Sequence, residues 1–392
     1  MKTFILALSF LVLSQSSHAQ KETSIIESNN KFSFDIYQKL KKHSENIIFS
    51  PASITSAIAM TYIGAKNNTF NEISKTFYFD NNINTFSKDY SNLLKIDKIG
   101  KSKLSLYNAN SLWIQNELSI NKNFLNINKQ YFLSSLHFTD FANESEQSRL
   151  KINEWVEDNT NKKIKDLLEA NTIDNSTRLV LVNALYFKGA WQNKFDKEKN
   201  TTENFQLGKN KFIKANFMNR SINSWYYEDK NAQIIDIPYS DENISLMIIL
   251  PKSYKKIKKI EKKLNYDYYI NYIQNKERKQ IDLSLPKFSI ESNYDLNKTL
   301  QEMGIKDAFS NKADFSGITD QEKLFISNVI HKANIAVDEE GTEATAATAV
   351  IMAKMFFISA EVKININRPF IYILRNNANN CIYFMGEIKN PN

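Results

Sequence analysis

The feature that most constrains the fold is the change of hydrophobic period along the chain. In the first half, residues 53–65 and 152–168 carry apolar side chains at helical spacing. Later come short runs of aliphatic, β-branched and aromatic residues, which are typical of strands. These runs are residues 179–187, 244–250, 281–290, 362–366, 370–374 and 382–388. Helices followed by strands predict an α+β fold with a large, mostly antiparallel sheet.

The amino terminus has the three parts of a secretory signal peptide. Lys2 supplies a positive charge, residues 4–13 form an apolar run, and Ser17-His18-Ala19 is a cleavage site of small residues. We therefore expect residues 1–19 to be removed from a secreted protein, extracellular or, in a bacterium, periplasmic. No run reaches the roughly 20 apolar residues that cross a bilayer, so no membrane span is predicted.

Residues 20–392 contain no Gly/Ser-rich or Pro-rich linker and are expected to form a single domain. Cys381 is the only cysteine, so an internal disulfide is excluded, and its apolar neighbours favour a buried position. The net charge of +8 allows weak attraction to polyanions. Residues 252–263 hold the densest group of lysines, at a spacing that predicts an amphipathic helix with a solvated basic face; a polyanion or membrane-surface contact is the alternative.

The sequence patterns of common enzymes are absent. No G-x-S-x-G, H-E-x-x-H, P-loop or G-x-G-x-x-G occurs. Three histidines remain after the signal: His43 and His137, in polar surroundings, and His331, before an apolar stretch. No Cys/His cluster suits a metal, and no nucleic-acid motif is present. We expect neither an enzyme nor a cofactor, a metal site or a nucleic-acid partner.

The segment from Asp338 to Ile358 is rich in Ala and other small residues, and its local sequence fits two kinds of secondary structure. Its Ala-rich part follows Gly341-Thr342 and could form a capped helix. With a period of two, one face from Thr342 to Met352 carries no charge, while Glu343 lies on the other face. Such a strand could enter the middle of a sheet, whereas a register shift of one residue would bury the charge of Glu343.

This segment resembles the hinge of inhibitory serpins, the serine protease inhibitor family, and further motifs agree with that family in order along the chain. They are Asn46-Ile-Ile-Phe49-Ser50-Pro51, Ile152-Asn153-x-Trp155-Val156, Asn183-Ala184-Leu185-Tyr186-Phe187, Leu285-Pro286-Lys287-Phe288, Ala313-Asp314-Phe315-Ser316, Arg368-Pro369-Phe370 and Phe384-Met385-Gly386. The resemblance implies the serpin fold: a large central sheet, further sheets, about nine helices and an exposed reactive-centre loop at about residues 339–359.

The resemblance also implies roles for particular residues. The hinge would consist of Glu339, Glu340, Gly341, Thr342, Glu343, Ala344, Thr345, Ala346 and Ala347. A polar cluster that lets the central sheet open would include Ser50, Ser53, Asn183 and His331, with Trp191 where the loop begins to insert. The implied mechanism is that a protease cuts the loop, is held as an acyl-enzyme, and is trapped when the loop inserts into the sheet.

Sixteen positions after Glu339, the family spacing places the bait residue at Met355, so the predicted scissile bond is Met355–Phe356. An apolar bait favours elastase-, chymotrypsin- or subtilisin-like serine proteases, with a cysteine protease as a further candidate. Lys354 is the alternative bait and would select trypsin-like enzymes. The chain is expected to act as a monomer. A non-inhibitory serpin, such as a carrier or chaperone, is the alternative function, and the small hinge residues favour inhibition over it.

Overall fold

The structure is a computed structural model that describes residues 24–41, 45–96, 104–132, 135–342 and 362–392. Its helices in these ranges are α1 Ile25–Leu40, α2 Pro51–Tyr62, α3 Asn67–Phe77, α4 Ile83–Ile96, α5 Lys122–Ile127, α6 Ser145–Asn159, α7 Ile257–Lys263, α8 Tyr266–Asn275 and α9 Asn297–Met303. The described part of the chain therefore has nine α-helices, as the resemblance implied.

Fifteen strands accompany them in the same ranges. They are β1 Ile47–Phe49, β2 Leu104–Gln115, β3 Ser135–Thr139, β4 Leu179–Ala190, β5 Thr201–Gly208, β6 Lys211–Glu228, β7 Ala232–Pro238, β8 Ile244–Pro251, β9 Glu277–Pro286, β10 Phe288–Asp295, β11 Asn328–Val337, β12 Gly341–Thr342, β13 Val362–Asn365, β14 Phe370–Asn376 and β15 Ile382–Ile388. The predicted α+β class is confirmed.

The strands form two sheets. A six-stranded sheet has the order β10-β11-β12-β4-β2-β3, and a nine-stranded sheet has the order β1-β15-β14-β8-β7-β6-β9-β13, with β5 paired to β6. Most neighbours are antiparallel; the parallel pairs are β11 with β4, β2 with β3, and β13 with β9. The central sheet is thus mostly antiparallel, with one parallel pair at its middle.

Strand β4 explains why a central strand of this sheet is a nearly continuous apolar run. Leu179, Leu181 and Leu185 pack into the main core between the sheets. Val180 and Val182 face a second core, which α6 covers with Ile152 and Val156. Because both faces of β4 are buried, apolar and polar residues do not alternate along it.

Helix α2 begins under this sheet with a standard cap. The Ser50 hydroxyl accepts a hydrogen bond from the Ser53 N–H at 3.2 Å, and Pro51 occupies the first helical turn. A serine cap satisfies an amide that would otherwise lack a partner, and proline is tolerated there because that turn's N–H groups have no helical acceptor. The cap fixes both serines where the helix meets the sheet.

Four local predictions were wrong. The helix predicted for residues 152–168 ends at Asn159, although Ile164, Leu167 and Leu168 are buried in the second core. The run 281–290 is two strands, β9 and β10, separated at Lys287. The long strand β2 lies in the half predicted to be mostly helical. His137 is not in polar surroundings, because its ring stacks on Trp113 with centroids 4.3 Å apart.

The basic segment is helical in part: a 3-10 turn at Tyr254–Lys256 precedes α7, which buries Ile257 and Ile260. Cys381 is buried, and the Asn29 amide nitrogen lies 3.7 Å from its Sγ. Among the described residues, no helix is long and apolar enough to cross a membrane.

Candidate functional site

The middle of the six-stranded sheet is a parallel pair that a third strand begins to separate. Strands β4 and β11 pair directly from Val180 to Tyr186 and from Asn328 to Asn334. Beyond this stretch, Thr342 of β12 pairs with Val337 on one side and with Gly189 on the other. Strand β12 is antiparallel to both neighbours, so it lies between them in the orientation that a continuing inserted strand would have.

Gly341 is the residue that allows β12 to enter. Its φ is +150°, and a Cβ built on it would lie 2.0 Å from the carbonyl oxygen of Gly189. An L-residue with a side chain rarely adopts such a φ, and here the added atom would also clash with backbone. The turn before it is closed by Asp338, whose carboxylate accepts the N–H groups of Glu340 and Gly341 at 2.8 and 3.2 Å.

Thr342 is fully buried at the entrance to the sheet. Its hydroxyl oxygen lies 2.7 Å from the Tyr239 hydroxyl, so each satisfies the other away from water. The Tyr239 ring in turn stacks on Trp191, with centroids 4.5 Å apart. Burial, offset in part by the Thr342 contact, raises the pKa of Tyr239 above its ordinary value, so the phenol stays protonated.

Trp191 joins the end of β4 to the segment before β12. Its indole Nε1–H donates to the Asp338 carbonyl at 2.8 Å, and its backbone N–H donates to the Glu340 carbonyl at 3.0 Å. The Phe195 N–H donates to the Glu339 carbonyl at 2.9 Å. The Trp191–Phe195 turn therefore holds the backbone of three consecutive residues that precede the buried threonine.

Glu339 is a buried carboxylate with cationic and amide partners. Only 4% of it is exposed, and its Oε1 lies 3.1 Å from Lys287 Nζ and accepts from the Asn200 amide at 2.5 Å. Burial alone would raise the pKa of Glu339, but hydrogen bonds from its backbone, Asn200 and Lys287 outweigh burial and lower that pKa. The carboxylate is thus charged at neutral pH and ties the segment to the start of β10.

Glu340 extends the same set of charges outward. Its carboxylate pairs with Lys194, and Lys197 Nζ lies 3.9 Å away. These lysines are partly exposed, so each pair contributes little by itself. Together the partners of the two glutamates hold the segment that leads into β12.

A second polar group lies further down the same strand pair, around His331. His331 on β11 is directly opposite Asn183 on β4, and Asn110 on β2 is opposite Asn183 on the other side. The imidazole Nε2 accepts the Ser50 N–H at 2.9 Å, so Nδ1 carries the proton and donates to Asn183 Oδ1 at 2.5 Å. One ring therefore connects the sheet to the start of α2.

The amide of Asn183 continues the network. Its Nδ2 donates to Asn110 Oδ1 at 3.0 Å and to the Ser53 carbonyl. The Ser53 hydroxyl donates to the same Asn110 oxygen at 2.8 Å, and the Ser50 hydroxyl donates to the Tyr383 carbonyl at 2.7 Å. We call the side chains of Ser50, Ser53, Asn110, Asn183 and His331 the central polar cluster. Every member finds a partner, which makes a buried network rigid.

His331 is fully buried, and this burial lowers its pKa from 6.5 to about 3. The ring is therefore neutral at physiological pH, which agrees with Nε2 acting as an acceptor. The Tyr294 ring stacks parallel to it with centroids 6.5 Å apart. A neutral ring in this place keeps charge out of the sheet.

The structure thus separates the sequence-derived residues into two groups. Ser50, Ser53, Asn183 and His331 meet in the central polar cluster, while Trp191 belongs to the entrance with Glu339, Glu340, Gly341 and Thr342. Trp191, just after the end of β4, is eight residue steps from Asn183, or about 26 Å along an extended strand. Sequence reasoning missed Asn110, Tyr239 and Lys287; only Lys287 had a signal, the motif Leu285-Pro286-Lys287-Phe288.

Several predicted residues lie outside the described residues. They are Glu343, Ala344, Thr345, Ala346, Ala347, Lys354, Met355 and Phe356. Within the described ranges, no group of three His, Cys, Asp or Glu side chains is arranged to hold a metal ion.

Comparison with known proteins bears on this geometry. The family model "Serpin (serine protease inhibitor)" matches residues 27–391. Human Serpin B4 is 40% identical over 390 residues, which covers 94% of this chain and all of the relative. Human leukocyte elastase inhibitor is 36% identical over 374 residues and covers 93% of this chain and 98% of the relative.

Solved structures agree. Human thyroxine-binding globulin with thyroxine has a TM-score of 0.85 at 30% identity over 94% of this chain and 98% of that chain. The native state of tengpin, a thermophilic serpin, has a TM-score of 0.85 at 32% identity over 93% and 94%. The match over nearly the whole chain, in sequence and in fold, shows that this chain belongs to the serpin family.

Proposed function

We propose that this chain is a suicide inhibitor of serine proteases, not an enzyme, and that it traps its target by inserting the cut loop into the six-stranded sheet. The observation that carries the proposal is β12, which already lies antiparallel between β4 and β11. A strand in this position needs only to continue in register for the sheet to gain a full central strand.

The register makes this continuation specific. Thr342 pairs with Gly189 and Val337, so the same register would place Ala344 between Phe187 and Ile335, where a small side chain meets large buried ones. Further on, Thr348 would come between Asn183 and His331. Its hydroxyl can replace the direct bond between them, since a hydroxyl both donates and accepts.

The same register supports Met355 as the bait. Met352 would be opposite Leu179, the first residue of β4, so Met355 would lie just past the far end of the sheet. A protease attached at Met355 would thus be carried the full length of β4. The fold of the described residues does not depend on the bait, and Lys354 remains the alternative.

The chemical step is acyl transfer. The hydroxyl oxygen of the protease adds to the carbonyl carbon of Met355, an ester forms, and the bond to Phe356 breaks as its amine takes a proton from the protease. Insertion before water reaches the ester leaves the protease attached. An apolar bait suits elastase-, chymotrypsin- or subtilisin-like enzymes; a cysteine protease would form a thioester in the same way.

Secretion and the monomeric state belong to the same proposal. The family model begins at residue 27, which leaves the predicted signal peptide, residues 1–19, outside the match. Sequencing the amino terminus of the protein recovered outside and inside the producing cells tests secretion: an external form that starts at Gln20 is expected, and protein found only inside the cells with its first residues intact would contradict it.

A carrier function is the alternative, because thyroxine-binding globulin has the same fold. To decide between inhibition and a carrier function, the protein is incubated with pancreatic elastase, chymotrypsin and trypsin in turn, and the products are analysed on denaturing gels. We expect a covalent complex and a released peptide that begins at Phe356.

The matched control is Met355→Asp, which removes the apolar bait and leaves the hinge intact. It should abolish the complex with elastase and chymotrypsin. Cleavage of the wild-type loop by every enzyme without a stable complex would contradict inhibition and favour the carrier.

A further inference from the structure

Three segments that are separate in sequence bring lysines to one surface of the molecule. They are the turn between β5 and β6, residues 208–211, the turn between β6 and β7, residues 228–231, and the basic segment, residues 252–263. The first turn contacts the basic segment, because a Cβ built on Gly208 would lie 3.9 Å from the Tyr254 hydroxyl oxygen.

The second turn is joined to the basic segment by two hydrogen bonds. The Lys252 N–H donates to the Asn231 carbonyl at 2.7 Å, and Lys256 Nζ donates to the Lys230 carbonyl. We call the three segments together the basic surface. Only the strand pairing of the nine-stranded sheet brings the two turns to the basic segment, so the sequence pattern shows no more than one part of this surface.

The basic surface holds most of the net charge of the protein. Its three segments contain ten lysines and three carboxylates, an excess of seven positive charges, while the net charge of the whole chain is +8. The rest of the chain is therefore close to neutral. A concentration of charge of one sign on one surface raises the local concentration of oppositely charged partners and speeds their association.

The three carboxylates of the basic surface already have partners. Glu228 pairs with Lys252 at 2.6 Å, and Asp229 Oδ1 accepts two backbone N–H groups of its own turn at 2.6 and 2.8 Å. The carboxyl of Glu261 interacts with the buried Glu387, on the side of α7 that faces the core. The carboxylates thus leave most of the lysines without an ion pair among the described residues.

Helix α7 presents its lysines in a row. Ile257 and Ile260 are buried, so the helix has one face in the core and the opposite face in solvent. The exposed lysines on the solvent face are Lys258, Lys259, Lys262 and Lys263. With a rise of about 1.5 Å per residue, four charges lie within about 8 Å along the helix axis. Such a row matches a partner that carries several anionic groups along its length.

The side chains of the basic surface indicate which kind of polyanion fits. The apolar residues of α7 are buried in the core and cannot enter a lipid surface, which an interfacial helix must do. The three segments contain no arginine, the residue that contacts phosphates and bases in a fork and stacks on bases. Lysine is a compact point charge, which suits sulfate groups spaced along a flexible chain.

We propose that the basic surface binds a linear polysaccharide that carries sulfate groups. The lysines of α7 would contact successive sulfates, and the lysines of the two turns would extend the contact beyond the helix. This interaction does not depend on protease inhibition, so the two proposals can fail separately.

The test measures binding of the purified full chain to fluorescein-labelled dextran sulfate by fluorescence anisotropy at several NaCl concentrations, with neutral dextran as the reference. We expect saturable binding to dextran sulfate that weakens steeply with salt, because binding releases counterions, and no binding to neutral dextran.

The variant Lys258→Gln/Lys259→Gln/Lys262→Gln/Lys263→Gln keeps good helix formers on α7 and removes four charges. It should weaken binding at least about 100-fold at low salt, since each lysine near an anionic surface contributes roughly fivefold. The slope of log K against log salt should fall by about 3, if each contact releases counterions as it does on nucleic acids. Lys209→Gln/Lys211→Gln should also weaken binding, because the first turn belongs to the same surface.

The matched control removes four exposed lysines elsewhere and lowers the net charge equally. Its substitutions are Lys88→Gln, Lys122→Gln, Lys129→Gln and Lys323→Gln. The control should bind within about threefold of the wild type. Thermal unfolding of each variant shows that it is folded before its affinity is compared.

Loss of binding in the α7 variant with retention in the control supports the proposal. If dextran sulfate does not bind, or if the control and the α7 variant lose affinity alike, the proposal is overturned. Unchanged affinity in Lys209→Gln/Lys211→Gln would overturn the joint surface. Duplex DNA and phosphatidylserine vesicles form two further titrations, and tighter binding to either than to dextran sulfate would overturn the assignment to a polysaccharide.

Discussion

His331 is held as a neutral ring by a helix start on one side and a strand on the other. Its acceptor nitrogen faces the Ser50 N–H, and its donor nitrogen faces Asn183. Protonation would place a second donor against the Ser50 N–H inside the sheet, which is costly in a buried site. Gly341 is constrained just as strictly by its φ and by the Gly189 carbonyl. At this scale, each residue is determined by a few neighbouring atoms.

The lowered pKa of His331 predicts a pH dependence of stability. Its pKa is about 3 when folded and 6.5 when unfolded, so between these values the unfolded chain binds more protons. The free energy of unfolding should therefore fall as pH falls below 6.5, by up to about 1.4 kcal/mol per pH unit from this residue. Urea unfolding at pH 7, 6 and 5 measures it.

The control for this prediction is His331→Gln, which keeps an amide able to accept the Ser50 N–H and does not titrate. The difference between wild type and variant isolates the imidazole from other groups, including Glu387, whose pKa burial raises to about 7. Equal pH dependence in the two proteins would contradict the assignment.

At the scale of elements, β12 is the decisive piece of structure. It has only two residues, yet it pairs on both sides and divides a parallel pair. Its position depends on the preceding turn, on Trp191 and on the carboxylate of Glu339 bound by Lys287 and Asn200. A strand so short is stable because its neighbours hold it, not because of its own propensity.

Thr342→Arg should convert the inhibitor into a substrate. The threonine is fully buried, and a guanidinium there would cost several kcal/mol unless the strand left the sheet. Slower insertion gives water time to cleave the ester, and each 1.4 kcal/mol added to the insertion barrier shifts this partition about tenfold. The measurement is the number of inhibitor molecules consumed per protease molecule inactivated.

Thr345→Arg is the matched control, because alternation places position 345 on the opposite face from Thr342. It should inhibit with nearly the wild-type ratio. If Thr342→Arg and Thr345→Arg both needed the same raised number of inhibitor molecules per protease molecule, the added charge itself, and not its burial, would be responsible for the loss of inhibition.

At the scale of the whole molecule, the proposed insertion would change the strand pairing at the middle of the six-stranded sheet. The parallel pairing of β4 and β11 would be replaced by two antiparallel pairings with the inserted segment. A net gain of about a dozen hydrogen bonds at roughly 0.5–1.5 kcal/mol each would make the inserted form more stable by about 6–18 kcal/mol.

Loop cleavage should therefore raise the midpoint of thermal unfolding by about 8–23 °C, since each kcal/mol shifts it by about 1.3 °C in a chain of this size. Differential scanning calorimetry before and after cutting with a non-target protease measures the shift. Thr342→Arg serves as the control and should gain less. A cleaved wild type that melts where the intact protein does would exclude insertion.

The α+β class and the positions of most later strands followed from the sequence because burial on one or both faces leaves a local pattern. The helix of residues 152–168 was extended too far for the same reason: residues 164–168 are buried without being helical. Strand β2 was missed because Asn108 and Asn110 interrupt its apolar residues. Asn110 is polar because its side-chain oxygen accepts hydrogen bonds from Ser53 and Asn183, and these contacts are not visible in the sequence.

By itself, the sequence determined what depends on neighbours along the chain: the cap at Ser50-Pro51, the apolar run of β4, the glycine before Thr342 and the small residues after it. The tertiary structure decided which distant side chains meet, including His331 with Asn183 and Glu339 with Lys287. The register of strands far apart in sequence sets those contacts, and local periodicity carries no information about register between distant strands.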